Sequence, residues 1–452
     1  MRAELLLLMG CVLADAPASA PAEPAGWVVP VDWKRFAPAN PPGEKTRAAA
    51  RLLNTSLRYN LAWAEREHRR SEDGAAYQYA NMKEHAIRPP ASVAFGTAIA
   101  LRTATYDEGI VGLPPGEAGA RMQRLIRGAV RTHSPPGRGK GWGDAWQSAL
   151  WASLAGNAAW LTWDDLDDQT RRLAARMVAF EADRFLRAGY EVPYWNGRGG
   201  DTKAEENAWN ALVLQLAVAM MPRHPHAPRW KRVCDELMIS AAATERDWKS
   251  NETMMDGRPV KAWLKGYNLR EDYALVNHNR LHTDYMVFVA NLSWSHVVQG
   301  LAGQTVPQAA DFNVAQVYRA LVARTWPSPP YQAPGGTMYV PGKAEVYYPQ
   351  GTDWSPYRFD TFYRLDTCVD LLGLDAGLPR RASEWIAIRT KRLLEMQSRH
   401  ADGRLFAPGE YTTYAGAEQM AVLNFGTALL WNWLHDRDGL GRTGNWNEET
   451  GR

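Results

Sequence analysis

Apolar residues recur along most of the chain at three- and four-residue intervals, the spacing that lines one face of an α-helix. Gly/Pro-rich joints separate the segments that carry it. The pattern predicts helices over residues 44–70, 90–105, 117–132, 144–161, 165–188, 203–221 and 226–244. Further helices are predicted over 284–302, 307–325, 360–372, 381–400 and 416–434. Strict apolar/polar alternation, the mark of half-buried strands, is scarce. Two long stretches, 249–282 and 326–359, break the helical pattern and concentrate Gly, Tyr, Trp and charged side chains; loops of such length in a compact domain are usually functional.

The helical segments share no fixed-period repeat, so a solenoid is not indicated. About a dozen helices in one chain can instead close on themselves. The expected fold is all-α: an (α/α)6 toroid, a complete or incomplete six-hairpin barrel with its long loops at one face. The expected organisation is a lead over 1–25, a single domain over 26–436 and a flexible tail over 437–452. The GxGxxG string from Gly439 to Gly444 follows a helix and has no preceding strand, so it is no dinucleotide site.

Composition narrows the function. With 46% apolar and 22% charged residues, the chain of 452 can bury a large core. Lys and Arg number 52 against 49 Asp and Glu, a net charge of +3, too balanced for nucleic-acid binding driven by phosphate neutralisation. Cys11, Cys234 and Cys368 form neither a disulfide framework nor a CxxC pair. The 20 Trp exceed the 18 Tyr and double the 10 Phe. A Trp surplus beyond core needs suits a glycan cleft, where the indole face stacks on a sugar ring and its N–H finds a polar partner.

Arg2, the apolar run 5–13 and the Ala/Pro/Ser stretch after it resemble an export signal, so a secreted or periplasmic location is expected. Leu8-Met9-Gly10-Cys11 resembles a lipoprotein box, with Cys11 as the candidate anchor. No later stretch reaches the roughly 20 apolar residues of a membrane span.

Three clusters carry candidate chemistry. In the first, Thr202 and Glu205 fit a capping box, which leaves Glu206, Asn207 and Asn210, beside Trp209, as hydroxyl-recognising or catalytic groups. The second, Asn277-His278-Asn279-Arg280-Leu281-His282-Thr283-Asp284-Tyr285, is the densest. Asn277 and His278 can donate to a carboxylate, and His282 or Tyr285 can exchange protons. A helix start and Arg280 would favour the Tyr285 phenolate. Read otherwise, His278, His282 and Asp284 are ligands for a divalent metal, without the glutamate of an HExxH site. The third cluster holds Asp353, Trp354 and Arg358, in which Asp353 is a base, a hydroxyl acceptor or a turn residue. Trp142, with Trp146 and the possible cap Asp144, and Trp195 are further candidates to shape subsites.

The helical ring, the Trp-rich loops and Asn277-His278 together resemble the α/α-toroid carbohydrate-active proteins, especially polysaccharide lyases of the heparinase II/III-like and alginate-lyase kinds. Members often carry Asn-Asn-His-Gly, matched here by Asn277-His278 with Val276 before and Asn279 after. The resemblance implies β-elimination on a uronate-containing polysaccharide or oligosaccharide; no cofactor is expected, the divalent metal at His278, His282 and Asp284 being the alternative. It implies Asn277 and His278 as neutralisers of the uronate, with Tyr285 as base by analogy. Arg280 and Arg358 would hold anionic groups. The same ring also serves glycoside hydrolases, for which Glu206 and Asp353 form the candidate pair with Asp144 and Glu418 in reserve. A non-catalytic glycan-binding protein is the third reading.

Overall fold

The structure, a computed structural model, describes residues 24–37, 41–133, 141–194, 200–411 and 415–444. Cys11 and Trp195 lie outside them. Twelve helices carry the architecture: α1 (Glu44–Glu67), α2 (Glu84–Arg102), α3 (Pro115–Thr132), α4 (Ser148–Leu161), α5 (Asp168–Asp183) and α6 (Ala204–Met220), then α7 (Ala227–Ala242), α8 (Ser295–Ala302), α9 (Val314–Val322), α10 (Phe359–Leu371), α11 (Ala382–Ser398) and α12 (Ala417–His435). Among the described residues the strands are two-residue hairpin arms, so the fold is all-α. Among the described residues no helix is long and apolar enough to cross a membrane.

The helices sort by burial. Every residue of α4 except Leu150 is buried, and α6 and α12 are apolar nearly all round, the pattern of helices enclosed by others. α1, α3 and α7 bury one stripe and expose the other. Contacts between the enclosed helices run in a cycle: α2 on α4, α4 on α6, α6 on the segment from Thr283 to Ala302, that segment on α10, α10 on α12, and α12 back on α2. Each outer helix packs on this cycle, α1 on α12 and α2, α3 on α2, α5 on α4, α7 on α6 and α11 on α10. A ring of helical hairpins demands this contact order.

The cycle closes where glycines permit it. Gly96 on α2 and Gly426 on α12 face each other, and a Cβ on Gly96 would stand 2.4 Å from Val422 Cγ1. The stretch predicted as one helix over 284–302 is broken into a 3-10 segment (Thr283–Phe288), one α-turn (Val289–Leu292) and α8. Residues 437–444, expected to be a flexible tail, are instead tied down: Gly441 N–H donates to His296 O at 2.8 Å and Val306 bridges to Thr443.

Gly96→Val should overpack the α2–α12 contact and destabilise the fold by about 1–3 kcal/mol, read as a lower midpoint in urea denaturation. An unchanged midpoint would mean that the α2–α12 contact is not tightly packed at Gly96.

Candidate functional site

The enclosed helices leave a cavity of about 230 Å3 inside the cycle. Its lining comes from the first two-thirds of each helix: Glu84, Arg88 and Phe95 on α2, Leu150 to Asn157 on α4, Glu205 to Leu212 on α6, Thr361 and Arg364 on α10, and Met420 to Thr427 on α12. The helix N-termini therefore gather at one end, the mouth, where the positive ends of their dipoles favour anions. Asp284, Tyr285, Val287 and Phe288 also reach the cavity, because 3-10 geometry eclipses residues three apart and puts 284 with 287 and 285 with 288.

The loops assemble on this mouth. Val276–Asn277 pairs with Arg280–Leu281 across a two-residue turn in which His278 (φ 50°) and Asn279 (φ 60°) are both left-handed, as such tight hairpins require. The hairpin lies along the lead into α6: Asn279 N–H donates to Gly200 O at 2.8 Å and Thr202 N–H to Val276 O at 3.0 Å. A side chain on Gly200 would collide with Asn279. From the second long loop, Gln350 Oε1 accepts the Leu281 N–H at 2.6 Å, which brings Asp353 against both histidines.

Asp353 Oδ2 lies 2.7 Å from His278 Nδ1, and its Oδ1 lies 3.2 Å from His282 Nε2. Partial burial opposes the charge on Asp353, but the His278 hydrogen bond and both imidazoles hold its carboxyl below the ordinary value. An ionised carboxylate only accepts, so both ring nitrogens donate to it. His282 is buried, and burial pulls its pKa down to about 3, so the ring is neutral. The His278 side chain is 40% exposed. The Tyr285 ring sits 4.4 Å from His282 and 4.9 Å from Trp354, whose face carries the Arg358 guanidinium at 4.1 Å.

Glu205 is the group that the sequence reading misplaced. α6 begins at Ala204 with Lys203 at its cap, so no capping box forms, and the Thr202 hydroxyl has no hydrogen-bond partner. Glu205 instead lines the cavity and accepts from Asn277 Nδ2 at 2.7 Å, while its buried Oε2 has no partner among the described residues. Burial pushes its carboxyl up to about 8, so it is protonated at neutral pH.

No protein-family model matches the chain, and no curated protein matches it significantly. The roles of these residues rest on their geometry.

Other expected site residues lie elsewhere. Glu206 is off the cavity, ion-paired with Lys203 at 3.0 Å. Asn207 is buried, donating to Pro193 O and Ser240 Oγ, and Asn210 is buried without lining the cavity. Trp142 is core, its N–H given to Ala129 O and its ring against His133 and Trp151. Asp144 caps no helix and pairs with Arg187, while Glu418 accepts the N–H groups of Leu405 and Phe406. Arg280 folds back on His278 O. Trp209 and Trp354 do line the cavity, and exposed Trp146 meets Trp209 edge to face at 5.9 Å.

The metal reading changes its third residue. Asp284 is buried and engaged by Tyr348 Oη (3.3 Å), Thr352 Oγ1 (3.4 Å) and Arg358 (3.7 Å), whereas donor atoms of His278, His282 and Asp353 lie within 4.8 Å of one another. The phenolate expectation for Tyr285 also fails: burial raises its pKa, and the resting group is the neutral phenol.

Between about pH 4.5 and pH 8 the folded protein holds a Glu205 proton that the unfolded chain has released, so this group makes stability fall as pH rises. Glu205→Gln has nothing to titrate there. Its Tm relative to the parent should climb across that window, and a pH-independent difference would remove the proton from Glu205.

Proposed function

We propose that the chain is a carbohydrate-active enzyme that cleaves a uronate-containing saccharide by β-elimination at the mouth of a toroid of helical hairpins. The observation that carries the proposal is the convergence of three distant stretches on one mouth: Glu205, the segment from Asn277 to Tyr285, and the loop with Asp353, Trp354 and Arg358. Elimination needs a proton donor or cation beside the carboxylate, a base for the C5 proton and an acid for the departing oxygen.

The protonated Glu205, oriented by Asn277, would share its proton with the uronate carboxylate, and Arg358 would add positive charge. His278 is the base. Asp353 holds its Nδ1–H and so leaves Nε2 as the free lone pair, in the manner of a carboxylate that fixes an imidazole tautomer. Tyr285, a neutral phenol lining the cavity, is the acid. His278 takes the C5 proton, the C4–O bond breaks as C4=C5 forms, and the leaving oxygen takes the Tyr285 proton. The tyrosine recovers that proton from His278 or water. His282 positions Asp353 and packs on the Tyr285 ring. Trp146, Trp209 and Trp354 offer stacking faces.

A second reading is favoured by one observation, a protonated Glu205 at a mouth that also carries an ionised Asp353. That is the acid and base of a glycoside hydrolase. His278, His282 and Asp353 also suit a divalent metal.

Incubation with uronate polymers should raise absorbance at about 235 nm, with His278→Ala and Tyr285→Phe each slowing it at least ~100-fold. Reducing ends without that absorbance would replace elimination by hydrolysis. Activity that a chelator abolishes and a divalent ion restores would assign the histidine–aspartate group to a metal.

A further inference from the structure

The acid–base groups stand at the mouth, yet the opposite end of the cavity is polar too. Arg364, on α10, lies six positions beyond Arg358, roughly 9 Å deeper at 1.5 Å per residue. It lines the cavity and is enclosed by the ring, and burial brings its guanidinium down to about 10, so it stays charged at neutral pH. Among the described residues no carboxylate is within ion-pair distance of it. Among the described residues its one hydrogen bond goes to Asn291 Oδ1, a neutral acceptor, and its buried Nε meets no partner. Asn157, ten residues into α4, lines the same cavity and leaves its own Oδ1 buried and unpartnered.

Arg364 is half-buried and opens only onto the cavity; a cation so withdrawn from water without an anion is costly, and a ligand that enters the cavity can complete it. At this end the lining residues Phe95, Asn157, Leu212, Trp294 and Thr427 are buried. The lining stops at Phe95, Asn157, Leu212, Arg364 and Thr427, although their helices run on to Arg102, Leu161, Met220, Leu371 and His435. Phe95 and Trp294 meet edge to face there at 5.9 Å.

We propose that Arg364, with Asn291 and Asn157, forms an anion-binding subsite at the closed end of the pit, where it takes the carboxylate of a terminal acidic sugar. The substrate class rests on the saccharide reading above. Asn291 holds one face of the guanidinium, the sugar carboxylate pairs with the free N–H groups, and Asn157 Oδ1 accepts a hydroxyl. With chemistry at the mouth and no exit below, a chain can enter only by its end, so the action is exo and short products appear from the start.

Fluorescence titration, read from the Trp residues that line the pit, tests the subsite with glucuronate, galacturonate and mannuronate against glucose, galactose and mannose. At least one acid should bind about tenfold or more tighter than its neutral parent. Arg364→Met should abolish that preference and raise the Tm, because it removes an unpaired, half-buried charge. Equal binding of acid and neutral sugars, or an acid preference that survives in Arg364→Met and Arg364→Gln, overturns the proposal. If neither variant folds, the preference of the parent protein decides alone. Acid-selective, Arg364-dependent binding without any 235 nm product from polymers would keep the subsite and remove elimination. Product at 235 nm that begins as long fragments would keep elimination and overturn the subsite.

Discussion

The site depends on one constraint: a carboxyl group held among helix starts, with no ion-pair partner among the described residues, keeps its proton. Glu205 meets that constraint because burial opposes its charge, and the hydrogen bond it accepts from Asn277 orients the carboxyl. That bond also reports how the mouth is built. Asn277 can reach α6 only because the hairpin lies on the backbone of Gly200 and Thr202, and the hairpin can turn so tightly only because His278 and Asn279 accept left-handed backbone. A β-branched residue at either turn position would be strained, and a side chain at Gly200 would push the hairpin off. Glycine earns its place there by absence of bulk.

The helices were legible because their signal is redundant. Periodicity, glycine joints and acidic first turns agree over most of the chain, and predicted and observed boundaries differ by a few residues for α1, α3, α6, α7, α10, α11 and α12. The exceptions have local causes. α2 starts at Glu84 and carries Pro89 and Pro90 in its second turn, where sequence reasoning placed a helix start. The segment from Thr283 to Ala302 looks uniformly helical in its apolar spacing, yet it breaks where it must feed four side chains into a cavity.

The site was half legible, and a helix turns by about 100° per residue, which explains the other half. A cap at Thr202 makes Glu205 its partner and leaves Glu206 for substrate; with the cap at Lys203 and the helix from Ala204, Glu205 lines the cavity and Glu206 pairs with Lys203. For the histidines, proximity in sequence favoured Asp284, while the folded chain supplies Asp353 from about seventy residues away. Local pattern carries no information about such a pairing. Trp142 shows the limit of composition, since an indole with a satisfied N–H serves the core equally well. Arg364 did have a signal, a guanidinium in the otherwise buried run from Thr361 to Leu365, which amphipathic spacing alone does not explain.

Arg364 gains its meaning from a neighbour. Two residues beyond it on α10, Asp366 is fully buried, and there the fold meets the demands of charge in the ordinary way: Arg389 from α11 pairs with it, while Tyr318 and Tyr339 each donate to Oδ1 at 2.9 Å. Tyr339, Phe362 and Trp385 surround that guanidinium with ring faces. Two arginines thus lie within the same pair of helices, Arg389 buried and matched by a carboxylate and aromatic rings, Arg364 half-buried and given an amide oxygen and an open cavity. Packing cannot account for the difference, because the fold plainly can place an acid beside an enclosed arginine. What distinguishes the two is access from the mouth. A charge left unmatched where a ligand can reach it raises the free energy of the empty protein and lowers it again on binding, so the strain becomes selectivity for an anion.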